Sequence, residues 1–448
     1  MSADFRVFAE EAVAWMREQS ARTQSEVYLQ RTRERSLSRR DGARECIETA
    51  ESLGAGVRVA RDGHLGFASA GRVDLESLKS LWARAVEQSS YAGARAGRGL
   101  SSPVSGEDDA RLAASLWDES LFARSWEDLD ERLLGAESAA SLGGRARVLR
   151  SEIVERRAEV VIASTSGVLS SGREGAASIS VSASSGDGSQ TQTGDGYRSA
   201  RRFEALDGSA AGAEAARRAL AGAGARRART GSRAVVFEPW VGAEFLELLA
   251  DLVSAEEVQG GRSLLGGRLG NRVASALVTL RDDARLLGGL GSACFDDEGV
   301  PTRDKAIIDR GTLVELLHDF ATATRESAVS NGCGYREGWD STPSPSPSNF
   351  HLVPGPGSRE SLIADTKDGV LILEVLGMHM VDPVSGEFSI GVSGLEISSG
   401  QIARPFKGAM LAGNLLELLA RVDAVASDLS FYGGYGSPTF RVCALDLT

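Results

Sequence analysis

The chain has 448 residues, long enough to bury a large core and, by length, to form two or three domains. It is 42% hydrophobic and 25% charged, as globular proteins are, and no apolar run approaches the roughly 18 residues of a membrane-spanning helix. A formal net charge of −12 argues against a protein that holds nucleic acid through a general positive field.

The first residues, Met1 to Glu11, carry acids where a signal peptide needs a basic end, so a cytoplasmic location and no membrane contact are expected. Phe5 to Gln19 has a helical period, with Phe5, Phe8, Ala9, Val13 and Met16 on one face. Ser25 to Ser38 reads as a strand, with Asp41-Gly42 as its turn. Two short alternating runs within Gly56 to Ser69 flank Asp62-Gly63, a hairpin signal. Leu75 to Ala92 is a second amphipathic helix, and residues 93–119, rich in Gly, Ser, Ala and Asp, read as a linker. Trp126 to Leu142 is helical by period. Val160 to Leu169 and Ala177 to Ser184 read as strands, with turns at Gly186-Asp-Gly-Ser189 and Thr193-Gly-Asp-Gly196. Neither turn has the acid spacing or closing Glu of an EF-hand. Ser209 to Ala223 is Ala-rich and predicts a helix.

A strand-like run, Ala234 to Glu238, then leads through Pro239-Trp240 into Val241 to Val253. There Val241, Phe245, Leu248, Leu249 and Leu252 form one helical face, and Glu244, Glu247 and Asp251 form an acidic stripe beside it. The glycine-rich stretch Gly260 to Asn271, with Arg262, Arg268 and Arg272, lacks the Gly-Lys-Ser/Thr ending of a phosphate loop. The remainder reads as short strands and turns: Ala306 to Leu317 with a turn at Asp309-Arg-Gly311, Gly369 to Leu376, Gly394 to Ala403 with a turn at Ser399-Gly400, and Thr439 to Asp446. Thr342 to Ser348 has a polyproline character, and Leu411 to Ala424 reads as one helix.

Chemistry-bearing patterns are sparse. His64, His318, His351 and His379 lie far apart, so no zinc spacing exists. His379, with Asp382 three residues on, is the least bland of them. The acidic stripe offers a hard cation two or three carboxylates at most. Cys46, Cys294, Cys333 and Cys443 form no CxxC pair and read as thiols.

Several segments, in order, resemble the TldD/TldE (PmbA, modulator of gyrase) metalloprotease family. They are Gly56-Val-Arg-Val59 with Asp62 to Ser69, Gly291 to Thr302 containing Phe-Asp-Asp-Glu-Gly-Val-Pro-Thr, Pro347 to Phe350, Asp382 to Ser389, and Pro405 to Leu415. The resemblance implies that a metal-bearing branch carries His-Glu-x-x-x-His on the helix that is here Val241 to Val253, plus a cysteine near the C-terminus. Laid onto this chain, the two histidines fall at Leu246 and Asp251 and the glutamate at Glu247, while the loop Ser430 to Pro438 has no cysteine. The chain therefore resembles the TldE-like branch, with no catalytic residue, no metal ligand and no cofactor of its own. Zinc is expected in the partner subunit.

That likeness implies a heterodimer with a TldD-like metal-binding subunit, acting on unfolded or extended peptide, with leader-peptide removal as one form. Candidate cavity residues are Tyr432, Tyr435 and His379. Two other readings stand beside it: a peptide-binding or regulatory homodimer, and a stand-alone metal-independent hydrolase using the acidic stripe or His379 with Asp382. The expected fold is α+β. A mixed N-terminal domain with antiparallel strands (residues 1–100) precedes a linker and central α/β region (residues 101–228). A β-rich C-terminal domain, barrel-like or sandwich-like (residues 229–448), carries the degenerate metal-site helix.

Overall fold

A computed structural model describes residues 3–91, 99–104, 109–187 and 191–448. Six strands, β1 (Gln24–Arg40), β2 (Ala43–Arg61), β3 (His64–Ala70), β4 (Arg147–Ser164), β5 (Leu169–Ser185) and β6 (Gln192–Ala200), form one antiparallel sheet in the order β3-β2-β1-β4-β5-β6. The sheet runs through both the first and the second of the three stretches drawn from sequence.

Strand periodicity places Val27, Leu29 and Leu37 on one face of β1, all fully buried. Two pairs of helices cover this face. Ala3–Gln19 and Leu75–Tyr91 close over Val27, Leu29, Val57 and Val59, while Trp126–Ser141 and Gly208–Ala221 close over Leu37, Ile153, Ile179 and Val181. The opposite face at Tyr28 and Ile162 packs against Phe295 and Trp339 of the C-terminal region.

The C-terminal region holds a closed barrel. Its strands are Gly231–Phe237, Asp368–Leu376, Glu387–Ser398, Gln401–Asn414 and Phe440–Leu447, and the ring closes where Leu411 pairs with Leu447. Closure leaves these strands no free edge. The barrel settles the choice left open between barrel and sandwich. A second sheet of short strands contains Leu280–Asp283, Asp304–Asp309, Phe350–Leu352 and Tyr435–Ser437. The helix Pro239–Leu252 packs against strands of both.

Five local expectations are corrected. Val160 to Leu169 is not one strand: β4 ends at Ser164 and β5 begins at Leu169, and Ser164 N bonding Val168 O closes the turn. Thr193 to Gly196 is not a turn but lies inside β6. Its glycines leave room for a helix, since a Cβ on Gly196 would sit 1.9 Å from Ala211 O. Leu411 to Ala424 is not one helix. Gln401–Asn414 is committed to the barrel ladder, Asn414 caps only Leu415–Ala420, and Val422–Val425 is again a strand. Residues 43–52, overlooked because every one is exposed and no hydrophobic period marks them, are strand by pairing with β1. Part of the supposed linker is the short helix Ala110–Ser115; residues 92–98 and 105–108, and the Gly188-Ser189 half of one turn, lie outside the described residues.

Candidate functional site

The helix Pro239–Leu252 starts with Pro at its first position, where no backbone N–H is needed. Glu238, just before it, is buried and held by Arg217 at 2.9 Å and Arg359 at 2.5 Å, so the helix entry is pinned by charge. Val241, Phe245, Leu249 and Leu252 face the core, where Phe237 meets Phe245 with ring centroids 5.2 Å apart. Gly242 lies against the strand Tyr435–Ser437; a Cβ there would stand 2.2 Å from Ser437 Oγ.

The acidic stripe divides. Glu247 and Asp251 are exposed, and the phenol of Tyr435 shares their field. Burial first, then these two carboxylates, hold that phenol well above its ordinary value. Burial and Glu247 also raise Asp251. Leu246 points elsewhere: it is 4% exposed and belongs to the barrel core.

Glu244 faces a different cleft, of about 190 Å³, between β6 and the barrel. Trp240, Arg218, Asp195 and Glu374 also line it. Arg218 stacks 4.8 Å from the Trp240 centroid and bonds Glu214 at 2.6 Å, and Tyr432 Oη donates to Glu214 at 3.2 Å while its ring meets Trp240 edge-on at 4.9 Å. Burial pushes the Tyr432 phenol up to about 12, with Glu214 adding to it. Tyr432 and Tyr435 thus flank the same helix but serve different surroundings. Trp240, Arg218 and Glu214 were not read as site residues from sequence: Glu214 and Arg218 are an ordinary i,i+4 pair on one helix, and nothing local marks their meeting with Trp240.

Burial raises Glu244 from 4.5 to about 7, against the pull of the Trp240 N–H and Arg218. The sign follows from linkage: between pH 4.5 and 7 the unfolded chain loses this proton first, so ionisation weakens the fold as pH rises through that window. Glu244→Gln should flatten that part of the stability profile. Melting temperatures of both proteins, taken from pH 4.5 to 8, should diverge toward higher pH with the variant more stable; parallel profiles would rule this out.

His379 is exposed on the turn Met378–Met380, and the Asp382 carboxylate accepts from Val384 N and Ser385 N, so the two form no dyad. This arrangement does not favour the histidine-aspartate version of a stand-alone hydrolase. His351 Nδ1 lies 3.0 Å from Asn349 O, and His318 Nε2 is 3.8 Å from Glu326. None of the four cysteines is in a disulfide; Cys333 is buried, Cys46 and Cys443 are exposed.

Two of the sequence segments that carried the family resemblance meet in space. Arg58, from Gly56 to Val59, forms a two-pronged ion pair with Glu26 at 2.7 and 2.9 Å and bonds Glu298, from the 291–302 segment, at 3.0 Å. Arg336 reaches the same Glu26 at 2.5 Å, and its guanidinium stacks on Tyr28 at 4.5 Å. All four charges are buried. They join the N-terminal sheet to the C-terminal region.

Three family profiles match the chain in order: PmbA/TldA metallopeptidase domain 1 over residues 25–89, the central domain over 119–223, and the C-terminal domain over 230–448. The chain belongs to the PmbA/TldD metallopeptidase family. A TldD-homologue metalloprotease of Haemophilus influenzae is 28% identical over 92% of this chain and 87% of that one. A metalloprotease of Methanocaldococcus jannaschii is 35% identical, and there the chain spans about half the length of the relative, 49% of it and 50% of this chain. Among solved structures, a protein of Thermotoga maritima MSB8 described as a modulator of a DNA gyrase superposes with TM-score 0.90 at 25% identity, covering 99% of this chain and all of that one. TldE from Thermococcus kodakarensis shares the fold, with TM-score 0.87 at 20% identity over 98% of this chain and 100% of that one.

A metallopeptidase family implies a metal, and zinc wants His, Cys or carboxylate donors in a tetrahedral set. On this PmbA/TldD chain, Leu246 is a buried aliphatic group and Glu247 and Asp251 are exposed carboxylates. Among the described residues, no group of three or more His, Cys, Asp or Glu is placed to hold a metal ion. The residues present do not fit a zinc ion.

Proposed function

We propose that this chain is a TldE-like, non-catalytic subunit of a heterodimeric metalloprotease that processes or degrades unfolded peptide. The zinc would reside in a TldD-like partner carrying His-Glu-x-x-x-His. The observation that supports this most is Leu246. At the position where the resemblance puts the first histidine stands an aliphatic side chain that the barrel core has absorbed. A chain built this way can still supply cavity wall, peptide contacts and half of an interface.

The test is reconstitution. The purified chain alone should cleave no peptide, with or without zinc, and the pair with a TldD-like subunit should cleave an unfolded peptide such as casein. Cleavage by the chain alone would overturn the reading. Tyr432 and Tyr435 flank the helix from the loop Ser430–Ser437, and replacing both by Ala should lower cleavage by the pair roughly ten-fold or more if they position the substrate. Undiminished cleavage, measured on folded double variant, would remove them from the peptide path.

A further inference from the structure

The hairpin Ser430–Ser437 is held unequally along its two strands. Its inner strand, Tyr435–Ser437, lies within a sheet: Phe350 pairs with Tyr435 in parallel register, and Phe350 N bonds Gly434 O at 2.8 Å. Its outer strand, Ser430–Tyr432, is the last of that sheet and has a strand neighbour on one side only. Gly433, at φ +66°, and Gly434 make the turn, and Tyr432 stands directly opposite Tyr435.

Beyond the sheet, the Tyr432 side chain ties the outer strand to the central region. Its Oη donates to Glu214 Oε1 at 3.2 Å, and its ring meets Trp240 edge-on. Glu214 is itself firmly held. Its side chain is 7% exposed, Arg218 meets the same oxygen at 2.6 Å, and Arg198 bonds the other. Arg218 in turn stacks on Trp240 and donates to Asp195 O at 2.9 Å. One buried carboxylate therefore anchors the outer strand of the hairpin and, through Arg218, braces the ring on the first turn of the helix Pro239–Leu252. The two tyrosines are then not equivalent. Tyr432 is occupied by this contact. Tyr435 meets the helix about 10 Å further along, near Glu247 and Asp251, and its Oη bonds to no side chain among the described residues.

We propose that Glu214 and Tyr432 form a clasp that positions this hairpin, and that Tyr435 is the tyrosine a bound peptide meets. That a peptide binds here rests on the protease-subunit reading above; the clasp does not. An edge strand released from its one outside tie opens locally, and the fraction of time it is open is subtracted from the affinity for anything that needs it closed.

Two measurements test this. Tyr432→Phe keeps the ring and removes the donor; Glu214→Ala removes the acceptor, and Glu214→Gln keeps one. In the chain alone, the amides of Phe431 to Gly436 should exchange hydrogen several-fold faster in Tyr432→Phe and Glu214→Ala than in the parent, with Glu214→Gln closer to the parent. In the pair with a TldD-like subunit cleaving casein, Tyr432→Phe should raise KM several-fold and leave kcat within about two-fold, because the zinc chemistry belongs to the partner. A merely structural loss would instead lower kcat, through fewer folded molecules, at unchanged KM. Parent-like exchange in the hairpin, or an unchanged KM beside faster exchange, would overturn the proposal. Should Glu214→Ala not fold, Tyr432→Phe carries both measurements. A pair that cleaves nothing would overturn the protease-subunit reading, and the exchange measurement would still decide the clasp.

Discussion

Replacing Glu26 by Ala should cost roughly 3–5 kcal/mol of unfolding free energy, among the largest losses a single surface-neutral change can cause in this chain. Glu26 is 1% exposed and is shared by Arg58 and Arg336, both buried. Remove it and Arg336 loses its carboxylate partner, while Arg58 keeps only Glu298 at 3.0 Å. The Arg336 guanidinium then has no ion pair at contact and only Asp297 in its field, in a low-dielectric junction. The ion pairs need not be strongly stabilising as formed; the penalty comes from stranding charge. Urea unfolding followed by both tryptophan fluorescence and circular dichroism measures it. A loss under about 1 kcal/mol, the range of an exposed pair, would mean that the junction is wet.

The same residue predicts an acid limit. Burial pushes the Glu26 carboxyl up, yet Arg58 and Arg336 outweigh it and its value ends below 4.5. A depressed folded value contributes stability that is present above the ordinary carboxyl range and is lost as pH falls through the folded value. Stability of the parent should therefore drop more steeply below pH 4.5 than that of Glu26→Gln. Equal slopes would detach this carboxylate from acid unfolding.

The second large effect concerns the helix Pro239–Leu252. Installing both histidines, Leu246→His with Asp251→His, should not yield a protease and should destabilise the chain by about 3 kcal/mol or more. Leu246 is 4% exposed, so the change removes a buried aliphatic group and places an imidazole where no partner waits. Asp251 is on the exposed side of the helix, so the cost of the double change falls on Leu246. No cysteine occupies the loop Ser430 to Pro438 to complete a set. Zinc content after chelator treatment and reloading, together with the melting temperature, decides the matter. Stoichiometric tight zinc with cleavage of casein would overturn the placement of these two positions.

Much of this chain is legible in one dimension. The helices Ala3–Gln19, Leu75–Tyr91 and Pro239–Leu252 follow from a 3.6-residue period, and the hairpin at Asp62-Gly63 from turn chemistry, with Asp62 and Gly63 both at positive φ. Reading failed where a ladder overrode local pattern. Residues 43–52 carry no hydrophobic face yet are strand, because β1 supplies their hydrogen bonds. Leu411 to Asn414 looks helical by its leucines and is strand, because Leu411 must meet Leu447 to close the barrel.

By itself, the sequence determined the family, through short segments in a fixed order, and the lack of a histidine pair on the helix that would need one. Those are properties of residue identity, and identity needs no fold. The tertiary structure decided where the chemistry-bearing side chains stand. Glu244, Glu247 and Asp251 share a stripe in the sequence, yet Glu244 faces the Trp240–Arg218 cleft while Glu247 and Asp251 share the surroundings of Tyr435. Arg58 and Glu298 are 240 residues apart in the sequence, yet Arg58 donates to Glu298 at 3.0 Å. Burial, partner and dielectric are set by what packs from other elements, and no periodicity within one segment encodes them.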